Sequence, residues 1–284
     1  LHLSIRRQRQ MCIRDRLFVL SLVLINALAV NAITNERDLG ALDLLLVTDI
    51  SPFEFVFGKL GGIFFVTKEI VLLPVLLCIY LAIVGVVSVE NLFYLIGGLL
   101  VMDAFVAMLG IHVGMAYESS RTAVAVSLGT VFFLFIGVAT CMRIMISFSG
   151  SFQMQLLPFM AAVAGGSLGL YVTLGVRNPS VAIGLASLLC PAATFVAITS
   201  YLRGDTLSVF SIAAVAYGFT TVAMLVPALY ATARILARCG HGRNRHRSGQ
   251  RYHLQRQIGG KRDMREIHVS HHFAAPPETV FAAI

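Results

Sequence analysis

The chain has 284 residues, 57% of them hydrophobic and only 13% charged, with a mean hydropathy of +0.83. Soluble domains carry about 25% charged residues, so the composition excludes an ordinary soluble domain and points to a bilayer protein. The formal charge of +8 does not argue for nucleic acid, because residues 17–240 hold nine Lys/Arg against ten Asp/Glu and the basicity sits in the two ends. A membrane-spanning helix needs about 20 apolar residues, and in lipid only helices and closed barrels satisfy their backbone groups. The apolar runs are continuous rather than alternating, which predicts an all-α integral membrane protein. Seven such segments run near 17–33, 60–87, 91–116, 122–148, 156–176, 180–202 and 206–236. Short separators such as "SVEN", "YESSR", "RNPS" and "RGDT" predict antiparallel neighbours in a multi-span helical bundle.

The two ends read differently from the middle. Arg6 to Arg16, "RRQRQMCIRDR", resembles the translated adapter of a transposase-based sequencing library across all eleven residues. Residues 1–16 are therefore expected to be foreign, and the apolar region 17–240 to lack some N-terminal structure. Residues 241–263 are basic, polar and without period, as expected of intergenic or out-of-frame translation. From Met264 the chain resembles the opening of a START-like helix-grip domain, carried by the alternating "IHVSHHF" and then "APPETVFAAI". Residues 264–284 are too few for that domain's core and are expected to begin a neighbouring gene. His241, His246, His253, His268, His271 and His272 accordingly give no reason to expect a metal site. Cys12, Cys78, Cys141, Cys190 and Cys239 show no CxxC or Cys/His ligand spacing and read as small apolar residues in helices.

With the 34–59 connection placed in the cytoplasm, Arg37, Lys59, Arg121, Arg177, Arg234 and Arg238 fall inside, and Arg143 and Arg203 outside. That excess supports the orientation. Trp is absent, so Tyr80, Tyr94, Tyr117 and Tyr201 are expected to serve at the interfaces. Lys68 and Glu69 interrupt the overlong second segment, whose helix is expected to start at Ser51 as an interfacial elbow. Pro74, Pro158, Pro191 and Pro227 are expected to kink or end their helices.

The connection "ITNERDLGALDLLLVTDISPFEFVFGKL", Ile33 to Leu60, concentrates charge where a simple loop would suffice. Leu39, Leu42, Leu45 and Leu46 fall at helical spacing, predicting a short amphipathic helix over Asn35–Leu46. Ser51 reads as an N-cap, Pro52 as the first helical residue and Glu54 as the closure of a capping box, with Ile50 and Phe55 as a hydrophobic staple. Local chemistry thus predicts a rigid helix–turn–helix.

This stretch resembles the ABC-2 type transporter permeases, whose pattern here is approximately E-R-x-x-G-T-L-E-L-L-L-x-T-P-x-S-x-x-E-x-x-x-G-K. Glu36, Arg37, Gly40, Leu42, Leu44, Leu45, Leu46, Thr48, Ser51, Glu54, Gly58 and Lys59 match; Ala41, Asp43 and Asp49 replace Thr, Glu and Pro. Leu109 to Gly129 resembles the helix–short loop–helix that follows in the family. The resemblance implies the membrane half of an ABC exporter, with a cytoplasmic coupling element at Glu36, Arg37, Gly40, Leu42, Asp43, Ser51, Glu54, Gly58 and Lys59. It implies an ATP-hydrolysing partner subunit, which holds ATP and Mg, and a second permease copy or homologue in the cell membrane. The chain itself has no G-x-x-x-x-G-K-[ST] loop and is expected not to be an enzyme or to hold a cofactor.

Asp103 and His112 are ionisable residues inside an apolar segment and so are candidates for an intramembrane polar site. Nine residues apart, they point to opposite helix faces. Gly110/Gly114 and Gly165/Gly169 each form a GxxxG, expected to serve close helix packing. Two other readings stay open: a non-transporting membrane scaffold, and an ion-coupled secondary carrier, which would leave the 36–59 match unexplained.

Overall fold

The computed structural model describes residues 2–40, 50–138, 140, 152–175 and 180–234. Regular structure among them is helical throughout. The helices are α1 (His2–Asp38), α2 (Pro52–Ile83), α3 (Val89–Ala116), α4 (Ser120–Phe132), which continues into a π-helical turn (Phe133–Gly137), α5 (Phe152–Gly175), α6 (Val181–Arg203) and α7 (Thr206–Arg234). Among the described residues, six stretches are long and apolar enough to cross a membrane: Arg16–Asp38, Pro52–Ile83, Val89–Ala116, Ser120–Gly137, Val181–Ser200 and Thr206–Arg234. The protein is an all-α, multi-pass membrane bundle. Residues 241–284, with Leu42, Asp43, Arg143, Arg177 and Arg238, lie outside the described residues.

The burial pattern of α1 explains its central place. Ser21/Leu22, Ile25/Asn26, Ala29/Val30 and Ile33/Thr34 are buried in pairs every four residues, while Leu20, Leu24 and Leu28 are exposed on the opposite side. A helix turns once per 3.6 residues, so this repeat gives one face to the bundle and one to lipid. The buried face meets α3 most extensively, and also α4 and α2. Buried Asn26 joins three helices: its amide donates to the Val106 carbonyl (3.0 Å), and its carbonyl accepts from the Ser127 hydroxyl (2.9 Å).

Side-chain contacts settle the direction of each helix. Tyr117 donates to the Thr173 carbonyl (3.4 Å), bringing the end of α5 to the end of α3. Thr206 donates to Asn91 (2.6 Å), bringing the start of α7 to the start of α3. Thr232 meets the Met115 sulfur (3.8 Å) at the other extremity of the same pair. The bundle therefore has an elbow end, where α1, α3, α5 and α7 finish, and a far end, where α2, α4 and α6 finish. Asp205 caps α7 at the far end by accepting from the Ser208 amide (3.1 Å) and hydroxyl (2.6 Å). These two bonds hold its carboxyl below the usual carboxylate range.

Of the two outcomes expected of the prolines, ending a helix does not occur: Pro74, Pro158, Pro191 and Pro227 all lie within helices. Neighbouring helices in a bundle supply the support that a proline inside a span requires. The two GxxxG pairs also part company. A Cβ on Gly110 would meet Ala29 Cβ at 2.5 Å, the Asn26 carbonyl at 2.9 Å and the Val30 nitrogen at 3.0 Å, and one on Gly114 would meet Ile33 Cβ at 3.1 Å. At Gly165 and Gly169 it would meet nothing within 4 Å, whereas at the adjacent Gly166 it would strike the Phe133 ring at 2.5 Å. Gly110→Val should therefore lower stability in detergent by about 3 kcal/mol, because two of the obstructing atoms are backbone. Gly165→Val should stay within about 0.5 kcal/mol of the parent. Denaturant titration followed by helical circular dichroism distinguishes the two.

Candidate functional site

The connection between α1 and α2 forms the candidate site. Asn35–Asp38, expected to begin a separate amphipathic helix, are instead the last turn of α1. Ile33 and Thr34 are buried against the bundle, and that packing carries the helix past the point where the connection seemed to start. Gly40 then stops it with φ +67°, the Leu39 N–H donating to the Asn35 carbonyl and the Gly40 N–H to the Arg37 carbonyl, each at 3.0 Å. A glycine in the left-handed region just beyond a helix is a common terminator, since it lacks the Cβ that would clash there. Gly40 thus has a local structural reason.

The opposite arm follows the sequence closely. Ser51 has extended φ/ψ of −71°/151°, and the capping box is complete. The Ser51 N–H donates to Glu54 Oε2 (2.9 Å), and the Glu54 N–H donates to Ser51 Oγ (3.2 Å). Pro52 takes the first turn, where its missing N–H costs nothing. Ile50 is half-buried against the core cluster that contains Phe55, as a staple requires.

Two ionic contacts fasten these arms to the bundle. Lys59 forms a salt bridge with Glu36, closing the connection across its base; the Lys59 ammonium also lies 6.0 Å from the Phe55 ring centroid. Arg37 turns inward to the junction of α3 and α4. One guanidinium nitrogen donates to the Gly114 carbonyl (3.0 Å) and to the Tyr117 carbonyl, and the other donates to Ser120 Oγ (3.3 Å). Ser120 in turn donates to Asp38, whose carboxylate lies 3.8 Å from Arg37 Nε. The last carbonyls of a helix have no partners within it and carry its negative dipole end. Arg37 answers both needs for α3.

What remains outward-facing is a short strip at the start of α2. Phe53 and Phe57, 56% and 39% exposed, stack at 4.1 Å between ring centroids. Ser51, Glu54 and Gly58 are exposed beside them, and a Cβ on Gly58 would meet nothing within 4 Å. The nine proposed coupling residues therefore separate. Glu36, Arg37 and Lys59 hold the elbow to the bundle, Gly40 and Ser51 shape it, and Glu54 and Gly58 face outward. Leu42 and Asp43 lie outside the described residues. Sequence reasoning missed Phe53 and Phe57, although their spacing of four beside Glu54 was visible in "PFEFVF". It also missed the contact between Asp38 and Ser120, which spans 82 positions and leaves no local signal.

Asp103 and His112 are both buried, but nothing brings them together. The His112 Nε2 lies 3.0 Å from the Leu174 carbonyl; since that carbonyl only accepts, Nε2 carries the hydrogen, and the residue ties α3 to α5. Asp103 is wholly buried, and neither of its carboxylate oxygens has a hydrogen-bond partner among the described residues. A carboxylate in that setting is costly.

Three results are expected. Arg37→Ala should lower stability by about 2 kcal/mol, and Arg37→Lys should not restore it, because an ammonium lacks the guanidinium fork. A double-mutant cycle of Glu36→Gln and Lys59→Met should return a coupling of about 1 kcal/mol, smaller at high salt. Asp103→Asn should leave the unfolding midpoint unchanged or raise it, because it removes an unpartnered buried carboxylate. In comparison with known proteins, no family model matches the chain, and no curated protein or solved structure matches it.

Proposed function

We propose that the chain is the permease subunit of an ATP-binding cassette transporter, an exporter in the cell membrane, driven by a separate ATPase through the elbow between α1 and α2. The observation that carries this reading is the double fastening of the elbow, by Glu36–Lys59 across its base and by Arg37 to the α3–α4 junction. A push on an element held this way is delivered to four helices at once. A loop anchored only at its two ends would absorb the push by bending.

The outward strip supports the same reading. A stacked aromatic pair flanked by a carboxylate and an open glycine offers an apolar anchor with a polar rim, the anatomy of a protein interface. With residues 1–16 set aside as foreign, the described residues place Arg37, Lys59, Arg121 and Arg234 at the elbow end and Arg203 at the far end. The excess favours a cytoplasmic elbow, which is where an ATPase would meet it. At 1.5 Å per residue, the 32 residues of α2 reach about 48 Å, against a hydrocarbon core of about 30 Å. The first turns of α2 therefore have length to spare for standing clear of lipid.

The test separates docking from transmission. In membranes containing the chain and its co-purifying ATPase, Phe53→Ser with Phe57→Ser should reduce co-purification. Arg37→Ala should leave co-purification intact but lower substrate-stimulated ATP turnover about tenfold, within the usual range of coupling energies. If neither variant changes docking or turnover, the coupling assignment fails and a scaffold role takes its place.

A further inference from the structure

The far half of the bundle contains a feature that the elbow does not explain. A half-open cavity of about 380 Å³ lies among α1, α2, α3, the π-helical turn, α6 and α7. Phe18, Pro74, Leu99, Met102, Phe135 and Phe210 are among its walls, and among the described residues no charged side chain lines it. Its size falls within the range of about 300–1,000 Å³ typical of small-molecule sites. We propose that it binds one alkyl chain of an amphiphile, with the polar head left at the far-end membrane interface.

Two observations select this occupant. The first is the state of the lining hydroxyls, each of which already has a protein partner. Thr206 donates to Asn91 (2.6 Å), Tyr94 to Glu90 (3.1 Å) and Thr194 to the Cys190 carbonyl (2.6 Å). Tyr217 bonds to the Thr194 oxygen; with the Thr194 hydrogen committed to Cys190, Tyr217 is the donor. A polar ligand atom would lose water here and find these hydroxyl hydrogens already engaged, whereas hydrocarbon loses nothing.

The second observation is the gradient along the cavity. Tyr94 and Thr206, bonded to Glu90 and Asn91, stand near the first turns of α3 and α7, where those helices reach the far-end surface. Tyr217 lies eleven residues further along α7, about 16 Å deeper at the helical rise. There Phe135 of the π-helical turn stacks on Tyr217 with centroids 6.1 Å apart, and Phe105 meets Tyr217 edge-on at 4.8 Å. The rim hydroxyls are bonded to Glu90 and Asn91 at the surface, while the deep end closes on aromatic rings and its two hydroxyls, Thr194 and Tyr217, are bonded to each other, an arrangement that matches a chain with a head group. The extra residue per turn in a π-helix displaces the side chains that follow it, and here Phe135 lines the cavity.

The inference does not rest on the coupling reading, because binding of this kind requires no ATPase. The chain has no Trp, so Phe210→Trp places a single fluorophore in the cavity wall. Val215→Trp places one on the same helix at a site 73% exposed towards lipid. Each variant of the full chain is put into phosphatidylcholine nanodiscs and titrated with a brominated long-chain fatty alcohol. A second series uses dibrominated phosphatidylcholine. At low mole fraction, the cavity fluorophore should be quenched about tenfold more per mole of probe than the lipid-facing one, a preference of about 1.4 kcal/mol.

Filling the shaft should abolish that difference. A Cβ on Gly98 meets nothing within 4 Å, whereas at neighbouring Gly97 it would strike the Phe210 ring at 2.7 Å. Gly98→Leu therefore enters the cavity without disturbing its wall; Ala197→Phe fills it from α6 and serves if the first variant does not accumulate. Preferential quenching by the alcohol alone identifies an exchangeable amphiphile, and equal preference for both probes identifies a resident membrane lipid; either supports the site. Equal quenching of the two fluorophores by both probes overturns the proposal, as does a preference that survives both filling variants.

Discussion

The guanidinium of Arg37 is the contact on which the elbow end depends. A helix ending at a membrane surface leaves its last carbonyls exposed to a choice between water and protein. α3 resolves that choice with a cation from α1, which bonds the Gly114 and Tyr117 carbonyls and Ser120 together. The ends of α1 and α3 and the start of α4 are thereby one unit. Glu36–Lys59 adds the start of α2 to it. A charged cluster that reads as a surface for a partner is, in large part, internal structure.

Deeper in the bundle the same economy of polar contacts holds. Asn26 links α1 to α3 and α4, His112 links α3 to α5, and Cys190, Thr194, Tyr217 and Thr220 link α6 to α7. Lipid offers no competing partners, so such bonds add specificity at about 1 kcal/mol each. Small residues do the complementary work. Gly110 and Gly114 let α1 approach until a single methyl group would obstruct it, and Gly166 admits the Phe133 ring. Asp103 breaks the pattern, with both carboxylate oxygens unpartnered among the described residues. That departure, rather than its presence in an apolar segment, makes it the stronger intramembrane candidate of the two.

The two ends of the bundle divide the chemistry. The elbow end collects ion pairs, capped helix termini and an outward aromatic pair. The far half holds an apolar cavity rimmed by satisfied hydroxyls. Helices α1, α2 and α3 run through both regions.

Much of this was legible in the sequence, and the reason is local. Apolar length and continuity determine spanning helices, because the bilayer demands about 20 residues and internal hydrogen bonding. The capping box at Ser51–Glu54 involves residues three apart and needs nothing else. The role of Gly40 was visible as a motif position, and its backbone angle supplies the cause. Tertiary structure alone decided the rest. Arg37 reaches carbonyls 77 and 80 positions away, and Lys59 meets Glu36 across 23. No local pattern distinguishes the packed Gly110 from the open Gly165. Whether a charge faces a partner or braces a helix, and whether a glycine admits a neighbour or only exposes backbone, depends on what lies across the gap. Only the packing of the helices supplies that neighbour.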